Sequence, residues 1–350
     1  MIKPSNSASQ GTQDHDSKTW VEWVEYAKAI GIVLVVVGHT LRGLADTPAA
    51  VPGGGLADAW IYAFHMPLFF YLSGLFLERS CAQVGSSGGL RHFILSKARR
   101  ILWPYVVWTV IQESFRSAAG VSESPLVDLW RIAFQPVMQF WFLYVLFAIS
   151  ALYAVWRKFG LRWPGFVITA LALYFAVNLG IPLGSWGIPY QIALYAPYVA
   201  IGVLVSQSRN PFECSGRSLA TLVVVASGGY AAVLAAAWTG WGGAPGAVLP
   251  VALAGIAASV ALAVVLSRTS CLSWLSVLGR NSLEIFVAHT IFSAAFRQGL
   301  FVIDIRSPWV HLAGGILSGL AGPLALIWLC RRMRFRYLFG WPSRLPQHTR

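Results

Sequence analysis

The sequence predicts an all-α integral membrane protein: a bundle of about ten transmembrane helices with the N- and C-termini in the cytoplasm. Hydrophobic residues make up 57% of the 350 residues and charged residues only 11%, against about 25% charged residues in soluble domains. The apolar stretches approach the roughly 20 residues that a membrane-crossing helix needs. They are also longer than the roughly ten-residue strands of a membrane barrel. This composition excludes a soluble protein of two domains.

Ten apolar stretches are predicted to be the membrane helices, because polar or basic loops bound each of them. In chain order they cover residues 26–45, 57–77, 101–117, 139–156, 164–180, 190–206, 218–239, 247–267, 281–299 and 309–330. Residues 1–19 are polar and are predicted to be a disordered cytoplasmic tail rather than a signal peptide. Residues 20–335 form a single transmembrane domain, and residues 336–350 a basic cytoplasmic tail.

The basic residues are distributed unevenly between alternate loops. If the N-terminus is cytoplasmic, 21 of the 26 Lys and Arg residues lie on the cytoplasmic side, as the positive-inside rule requires. An even number of helices then puts both termini on that side. The net charge of +13 is therefore mainly a signal of topology, and nucleic acid is not an expected partner. The four cysteines fall on the same reducing side and show no metal-ligand spacing, so neither disulfides nor a metal site is expected.

The first helix carries two ionisable residues, Lys28 and His39, on one face. They are eleven residues apart, which is about three turns plus 20° of helix and about 16 Å along its axis. Lys28 is either an anchor that reaches the membrane surface or a cation that binds an anionic ligand. His39 is either bonded to a neighbouring helix or functional, and function is the default for an ionisable group inside the membrane. The pair suits an elongated anionic donor whose reactive end is buried.

Five segments carry a recognisable pattern. They are the run at residues 25–39, FHMPLFFYLSG at 64–74, KARRILWPY at 97–105, FWFL at 140–143 and GRNSLEIFVAH at 279–289. In this order they resemble the motifs of the membrane-bound acyltransferase-3 family. Lys28 stands where that family usually has Arg, which keeps the charge but loses bidentate phosphate binding. The first helix is most similar to the sugar O-acetylase branch, which includes the fucose O-acetyltransferases of nodulation factors.

The resemblance implies an O-acetyltransferase of the bacterial cytoplasmic (inner) membrane that moves an acetyl group from acetyl-CoA to a sugar hydroxyl of a glycolipid, lipo-oligosaccharide or polysaccharide. His39 would act as a general base or as a covalent acyl relay, and the sequence leaves both open. The expected partners are acetyl-CoA, the sugar acceptor and membrane lipids, and a homo-oligomer is compatible with the sequence. The implied site residues are catalytic His39, Glu284 and His65, donor-binding Lys28, Lys97, Arg99 and Arg100, and acceptor-binding Trp141 and His289.

Several of these residues also have ordinary structural interpretations. His65 is either an interface residue beside Pro67 or a residue that faces substrate or orients His39. Glu284 either pairs with Lys28 or Arg280, or it binds the donor or orients a histidine.

The basic cluster and the aromatic segment have structural alternatives as well. Lys97, Arg99 and Arg100 either fix topology and bind lipid headgroups or bind coenzyme A phosphates. Trp141 belongs either to the interfacial aromatic belt or to a sugar site, and Gly74 is expected to let two helices approach closely.

A secondary transporter for a small polar solute is the main alternative. It would also place His and Glu residues inside many helices, but the sequence shows no convincing internal repeat of the kind that transporters contain. Substrate flux without acyl turnover would indicate transport.

Overall fold

The computed structural model describes residues 8–120, 126–184, 186–208, 217–244, 246–270, 272–335 and 337–341. Within these ranges all regular secondary structure is helical, as the sequence predicts. The α-helices are α1 (Ala8–Leu44), α2 (Gly54–Tyr62), α3 (His65–Leu75), α4 (Leu77–Ser80), α5 (Gly89–Lys97), α6 (Trp103–Ala118), α7 (Trp141–Lys158), α8 (Trp163–Asn178), α9 (Gly187–Ser206), α10 (Leu219–Trp238), α11 (Val248–Thr269), α12 (Leu275–Arg280), α13 (Ser282–Val302) and α14 (Pro308–Arg332). A π-helical turn, Ala98–Leu102, joins α5 to α6.

Seven helical segments in the described part of the chain are long and apolar enough to cross a membrane. They are Glu22–Leu44, Trp130–Lys158, Gly187–Ser206, Leu219–Trp238, Val248–Thr269, Ser282–Val302 and Pro308–Arg332. The other three predicted stretches, 57–77, 101–117 and 164–180, fall on the shorter helices α2 with α3, α6 and α8. The all-helical membrane class is thus supported, while ten crossings and cytoplasmic termini stay predictions.

The predicted helix over 57–77 is broken in the structure. α2 ends at Tyr62, and α3 begins at His65. Pro67 is the third residue of α3, where its missing N–H would have no helical partner in any case. Pro67 therefore suits the first turn of a new helix better than the middle of a continuous one.

The predicted tail over 1–19 overlaps the first helix of the structure, and its disorder and cytoplasmic location stay predictions. α1 begins at Ala8, inside the segment 1–19, and residues 1–7 lie outside the described residues. Once a helix exists, each further residue adds one hydrogen bond without a new nucleation cost. The apolar part of α1 can therefore extend into polar sequence that has no proline after residue 4.

The chain forms two compact units, of which the first comprises Met1–Phe69 and Arg209–Ser282. In this unit α1 packs against α2, α11 and α12, and α10 packs against α2 and α11. Gly279 lies directly against the backbone of Glu25, where a Cβ atom would collide with it. The glycine of the GRNSLE segment thus lets α12 approach α1 closely.

The second unit comprises Phe70–Ser208 and Leu283–Arg350. Here α9 packs against α7 and α8, and Gly74 lies against the backbone of Val199. Gly202 meets the backbone of Tyr71 in the same way. The expectation that Gly74 permits close helix packing is confirmed. Its partner across the contact is the turn of α9 that contains Gly202.

Candidate functional site

The face of α1 that carries Lys28 and His39 is continuous in the structure. Both residues lie in the uninterrupted helix Ala8–Leu44, so the spacing of about three turns that the sequence indicates is retained. Both side chains are half-buried. The Lys28 ammonium lies 3.2 Å from the Glu25 carboxylate, one turn earlier on the same helix. A cation with a carboxylate neighbour therefore stands near one end of this face and an imidazole deeper along it.

The imidazole of His39 is next to a tyrosine that the sequence alone did not indicate. The ring of Tyr62, the last residue of α2, meets the His39 ring edge-on, with 6.3 Å between centroids and 74° between planes. The same ring meets His65 edge-on at 4.5 Å. Gly38 makes room for it, because a Cβ atom at this position would lie 2.9 Å from Cε2 of Tyr62. Tyr62 thus contacts both histidines and the α1 backbone turn beside His39.

His65, the first residue of α3, is anchored by the last turn of α2. Its Nδ1 lies 2.8 Å from the carbonyl oxygen of Ile61. Because a carbonyl oxygen only accepts hydrogen bonds, Nδ1 carries the proton in this contact and Nε2 keeps its lone pair. The side chain is 1% exposed. These contacts place His65 beside Tyr62 and fix its ring, which agrees with its interpretation as a packed interface residue and leaves the catalytic assignment a prediction.

Arg42 holds Tyr62 from the other side. Its guanidinium carbon lies over the face of the Tyr62 ring, 3.1 Å from the centroid. Its Nε and Nη2 atoms donate to the two carboxylate oxygens of Asp58 at 2.7 and 3.0 Å. The sequence alone indicates only that Arg42 and Asp58 are ordinary charged residues on the outer side of the membrane. Because Arg42 lies on α1 and Asp58 on α2, periodicity within one helix gives no signal for their contact.

The predicted donor-binding cations of the second unit lie around the π-helical turn. Arg99 and Arg100 are within this turn and exposed, while Lys97 is half-buried at the end of α5. Burial lowers the pKa of the Lys97 ammonium, Arg100 adds to this shift, and the sulfur of Cys81 opposes it. Single π-turns occur often at functional sites, so the geometry is compatible with anion binding by the two exposed arginines.

The other predicted residues of the second unit have identifiable surroundings. His289 is fully buried, and its Nδ1 donates to the carbonyl oxygen of Phe286 at 2.8 Å. Trp141 is half-buried and packs against Tyr195, with 4.9 Å between ring centroids. Glu284 is half-buried in the first turn of α13, where a carboxylate interacts favourably with the helix dipole. The catalytic role of Glu284 and the acceptor-binding roles of Trp141 and His289 stay predictions.

A buried polar cluster in the second unit was not indicated by the sequence. Nε2 of Gln139 donates to Oε1 of Gln112 at 2.7 Å and to the hydroxyl of Thr290 at 3.1 Å. The Thr290 hydroxyl donates in turn to Oε1 of Gln112 at 2.8 Å. Gln112 and Gln139 are both buried. The three residues come from α6, the turn before α7 and α13, and periodicity within one helix gives no signal for such a contact.

Comparisons with known proteins agree with the resemblance seen in the motifs. A family model described as an acyltransferase domain matches residues 21–328. The chain is 26% identical over 200 residues to the nodulation protein NolL of Mesorhizobium japonicum, a match that covers 54% of this chain and 49% of that protein. The chain thus spans about half the length of the curated relative it matches. No solved structure matches it significantly.

Proposed function

The chain belongs to the acyltransferase family whose model covers residues 21–328, and from this membership we propose that it is a membrane-bound O-acetyltransferase. In this proposal the acetyl group of acetyl-CoA is transferred to a hydroxyl of a sugar in a glycolipid, lipo-oligosaccharide or polysaccharide. The observation that carries it is the α1 face, on which half-buried His39 lies eleven residues from half-buried Lys28. The similarity to a nodulation protein agrees with the proposed branch of sugar O-acetyltransferases.

The proposed topology has ten membrane-crossing segments and both termini in the cytoplasm of a bacterium. The bias of the Lys and Arg residues toward one side supports it. In this arrangement Lys28 lies at the cytoplasmic edge of α1 and His39 lies deeper in the membrane. Acetyl-CoA is a cytoplasmic metabolite, so its thioester can reach His39 when its pantetheine arm extends along the α1 face.

The proposed chemistry uses the ring of His39. As general base, His39 takes the proton of the acceptor hydroxyl while the acceptor oxygen bonds to the acetyl carbon. The carbon–sulfur bond then breaks, and the coenzyme A thiolate receives the proton. As an acyl relay, His39 first takes the acetyl group from sulfur and then passes it to the acceptor oxygen. A ternary-complex kinetic pattern supports the first scheme, and a ping-pong pattern supports the second.

Residues of the second unit take further roles in this proposal. Arg99 and Arg100 are exposed in the π-turn and are suited to charge-assisted hydrogen bonds with phosphate groups of the donor. Trp141 and His289 are the proposed acceptor-binding residues, and an aromatic face such as that of Trp141 suits the apolar side of a sugar ring.

The experiment measures transfer of radiolabelled acetyl from acetyl-CoA to glycolipids and polysaccharides in membranes that contain the protein. We expect the wild type to transfer label and His39→Ala to transfer none while inserting normally. His92→Ala is the matched control, because His92 is exposed on α5 and should keep full activity. Mass spectrometry of surface glycans from cells with and without the gene then identifies the acceptor. Wild-type activity of His39→Ala, or solute flux without acetyl-CoA turnover, would contradict the proposal.

A further inference from the structure

Tyr62 combines three features that set it apart from a packing residue. Its ring contacts both His39 and His65. The Arg42 guanidinium covers its ring face. Its hydroxyl is buried, and among the residues that the structure describes no group accepts a hydrogen bond from it; the nearby Arg42 guanidinium also interacts with the phenol oxygen but can only donate. The first two features fix where the phenol lies, and the third leaves its O–H group available.

Several neighbouring residues fix the position of the phenol. Arg42 is fixed by two hydrogen bonds to Asp58, and Asp58 lies one turn before Tyr62 on α2. The guanidinium lies over the ring and carries only N–H donors, so it cannot accept a hydrogen bond from the phenol O–H group. Gly38, which has no side chain, leaves room for the ring edge directly beside His39. Arg42, Asp58 and Gly38 are therefore positioning residues for the phenol.

A buried phenol O–H group without an acceptor destabilises the folded protein. A buried O–H group that donates no hydrogen bond is less stable than one that has an acceptor. A phenylalanine would keep the ring contacts with both histidines and with Arg42 and avoid that cost. A bound reactant beside His39 that accepts a hydrogen bond would satisfy the hydroxyl.

The reaction proposed above generates one such acceptor. When the acetyl carbon is attacked, its carbonyl oxygen becomes an oxyanion, whether the attacking atom is the acceptor oxygen or a nitrogen of His39. A donor fixed before the reaction stabilises this charge more strongly than water does. The positive charge of Arg42 next to the phenol ring acts in the same direction.

We propose that the Tyr62 hydroxyl donates a hydrogen bond to the carbonyl oxygen of the acetyl group as its negative charge develops. This inference rests on the proposed function, and it adds a substrate-contacting group to the face of α1. The donor keeps its proton throughout: the bond formed is acceptor oxygen to acetyl carbon, the bond broken is carbon to sulfur, and the transferred proton moves through His39 to the thiolate.

The test compares Tyr62→Phe with the wild type in steady-state acetyl transfer. We expect kcat to fall by about 100-fold or more, as for the loss of one oxyanion donor, with the KM for acetyl-CoA changed less than about twofold. Tyr230→Phe is the matched control, because this tyrosine of the same unit bonds to Ser259 and should keep its wild-type kcat. Coenzyme A without an acetyl group should bind Tyr62→Phe as tightly as the wild type.

Each outcome bears on a different claim. A Tyr62→Phe protein with the wild-type kcat overturns the inference and leaves the proposed function intact. A wild-type protein that transfers no acetyl group overturns the proposed function itself. A Tyr62→Phe protein that has lost coenzyme A binding or thermal stability together with activity also overturns the inference, because it shows a structural role for the hydroxyl.

Discussion

Arg42 on α1 holds Asp58 on α2 through two parallel hydrogen bonds, 2.7 Å from Nε to Oδ1 and 3.0 Å from Nη2 to Oδ2. The geometry is the bidentate one that only a guanidinium provides. The same guanidinium lies over the ring of Tyr62, so one side chain of α1 fixes both the orientation of α2 and the phenol beside His39.

Arg42→Lys tests this relationship. Lysine keeps the charge but cannot form the two parallel bonds or stack on the ring, so we expect kcat for acetyl transfer to fall by about tenfold. Stability should change by less than about 1 kcal/mol, because half of the Arg42 side chain is exposed and exposed ion pairs contribute little. Enzyme kinetics and thermal melting in detergent measure the two effects. Arg306→Lys, in the exposed pair with Asp304, is the control; equal kinetics in both variants would contradict the assignment.

Lys28→Ala should mainly weaken the use of acetyl-CoA. Lys28 is half-buried beside Glu25, and loss of a cation that binds an anionic donor removes binding energy common to the ground and transition states. We expect the KM for acetyl-CoA to rise about tenfold with little change in kcat. Lys158→Ala, an exposed lysine at the end of α7, should leave this KM unchanged. An unchanged KM in Lys28→Ala would remove this residue from the donor site.

The sequence predicted those parts of the protein that depend on one helix. Helical periodicity placed Lys28 and His39 on one face of α1, and the continuous helix retains that spacing. Hydropathy could not show the break between Tyr62 and His65, because the residues on both sides of it are apolar. The hydropathy pattern therefore predicted a single membrane-crossing helix over 57–77.

Contacts between distant segments were outside the reach of the sequence. Arg42 meets Asp58 because α2 packs against α1. Gln112 meets Thr290 across 178 positions of the chain. A single sequence contains no periodic signal for either contact, since each depends on how whole helices pack. The motif resemblance identified the right family but did not include Tyr62, which lies two residues before the FHMPLFFYLSG segment.

Gln139→Leu should destabilise the second unit. Gln139 donates to Gln112 and Thr290 inside the protein, and its replacement leaves buried polar atoms without these bonds at a cost of about 1–3 kcal/mol. Thermal melting in detergent measures the loss. Gln207→Leu, at an exposed position after α9, should melt as the wild type does. Equal melting temperatures for the two variants would show that the buried cluster contributes nothing to stability.

Cys81 should react slowly with alkylating reagents in the folded protein. Burial is the main cause that raises the pKa of its thiol to about 12, and the Glu78 carboxylate adds to the shift. The thiolate is the reactive form, so its fraction at pH 8 is far smaller than for an ordinary cysteine and increases only as the pH approaches that value. Peptide mass spectrometry after iodoacetamide treatment measures labelling, with the denatured protein as control. Equal labelling of folded and denatured Cys81 at pH 8 would contradict the prediction.

Two adjacent glycines of α10 should respond oppositely to alanine. A Cβ atom at Gly229 would lie 2.8 Å from the carbonyl oxygen of Ala254 and 2.9 Å from Cβ of Ala258 on α11, whereas a Cβ at Gly228 meets nothing within 4 Å. Gly229→Ala must therefore push α10 away from α11, and such overpacking costs about 1–3 kcal/mol. Gly228→Ala removes backbone freedom from the unfolded chain and should stabilise the helix by up to about 1 kcal/mol. Melting temperatures in detergent measure both changes. Equal effects of the two substitutions would mean that α10 does not pack on α11 through Gly229.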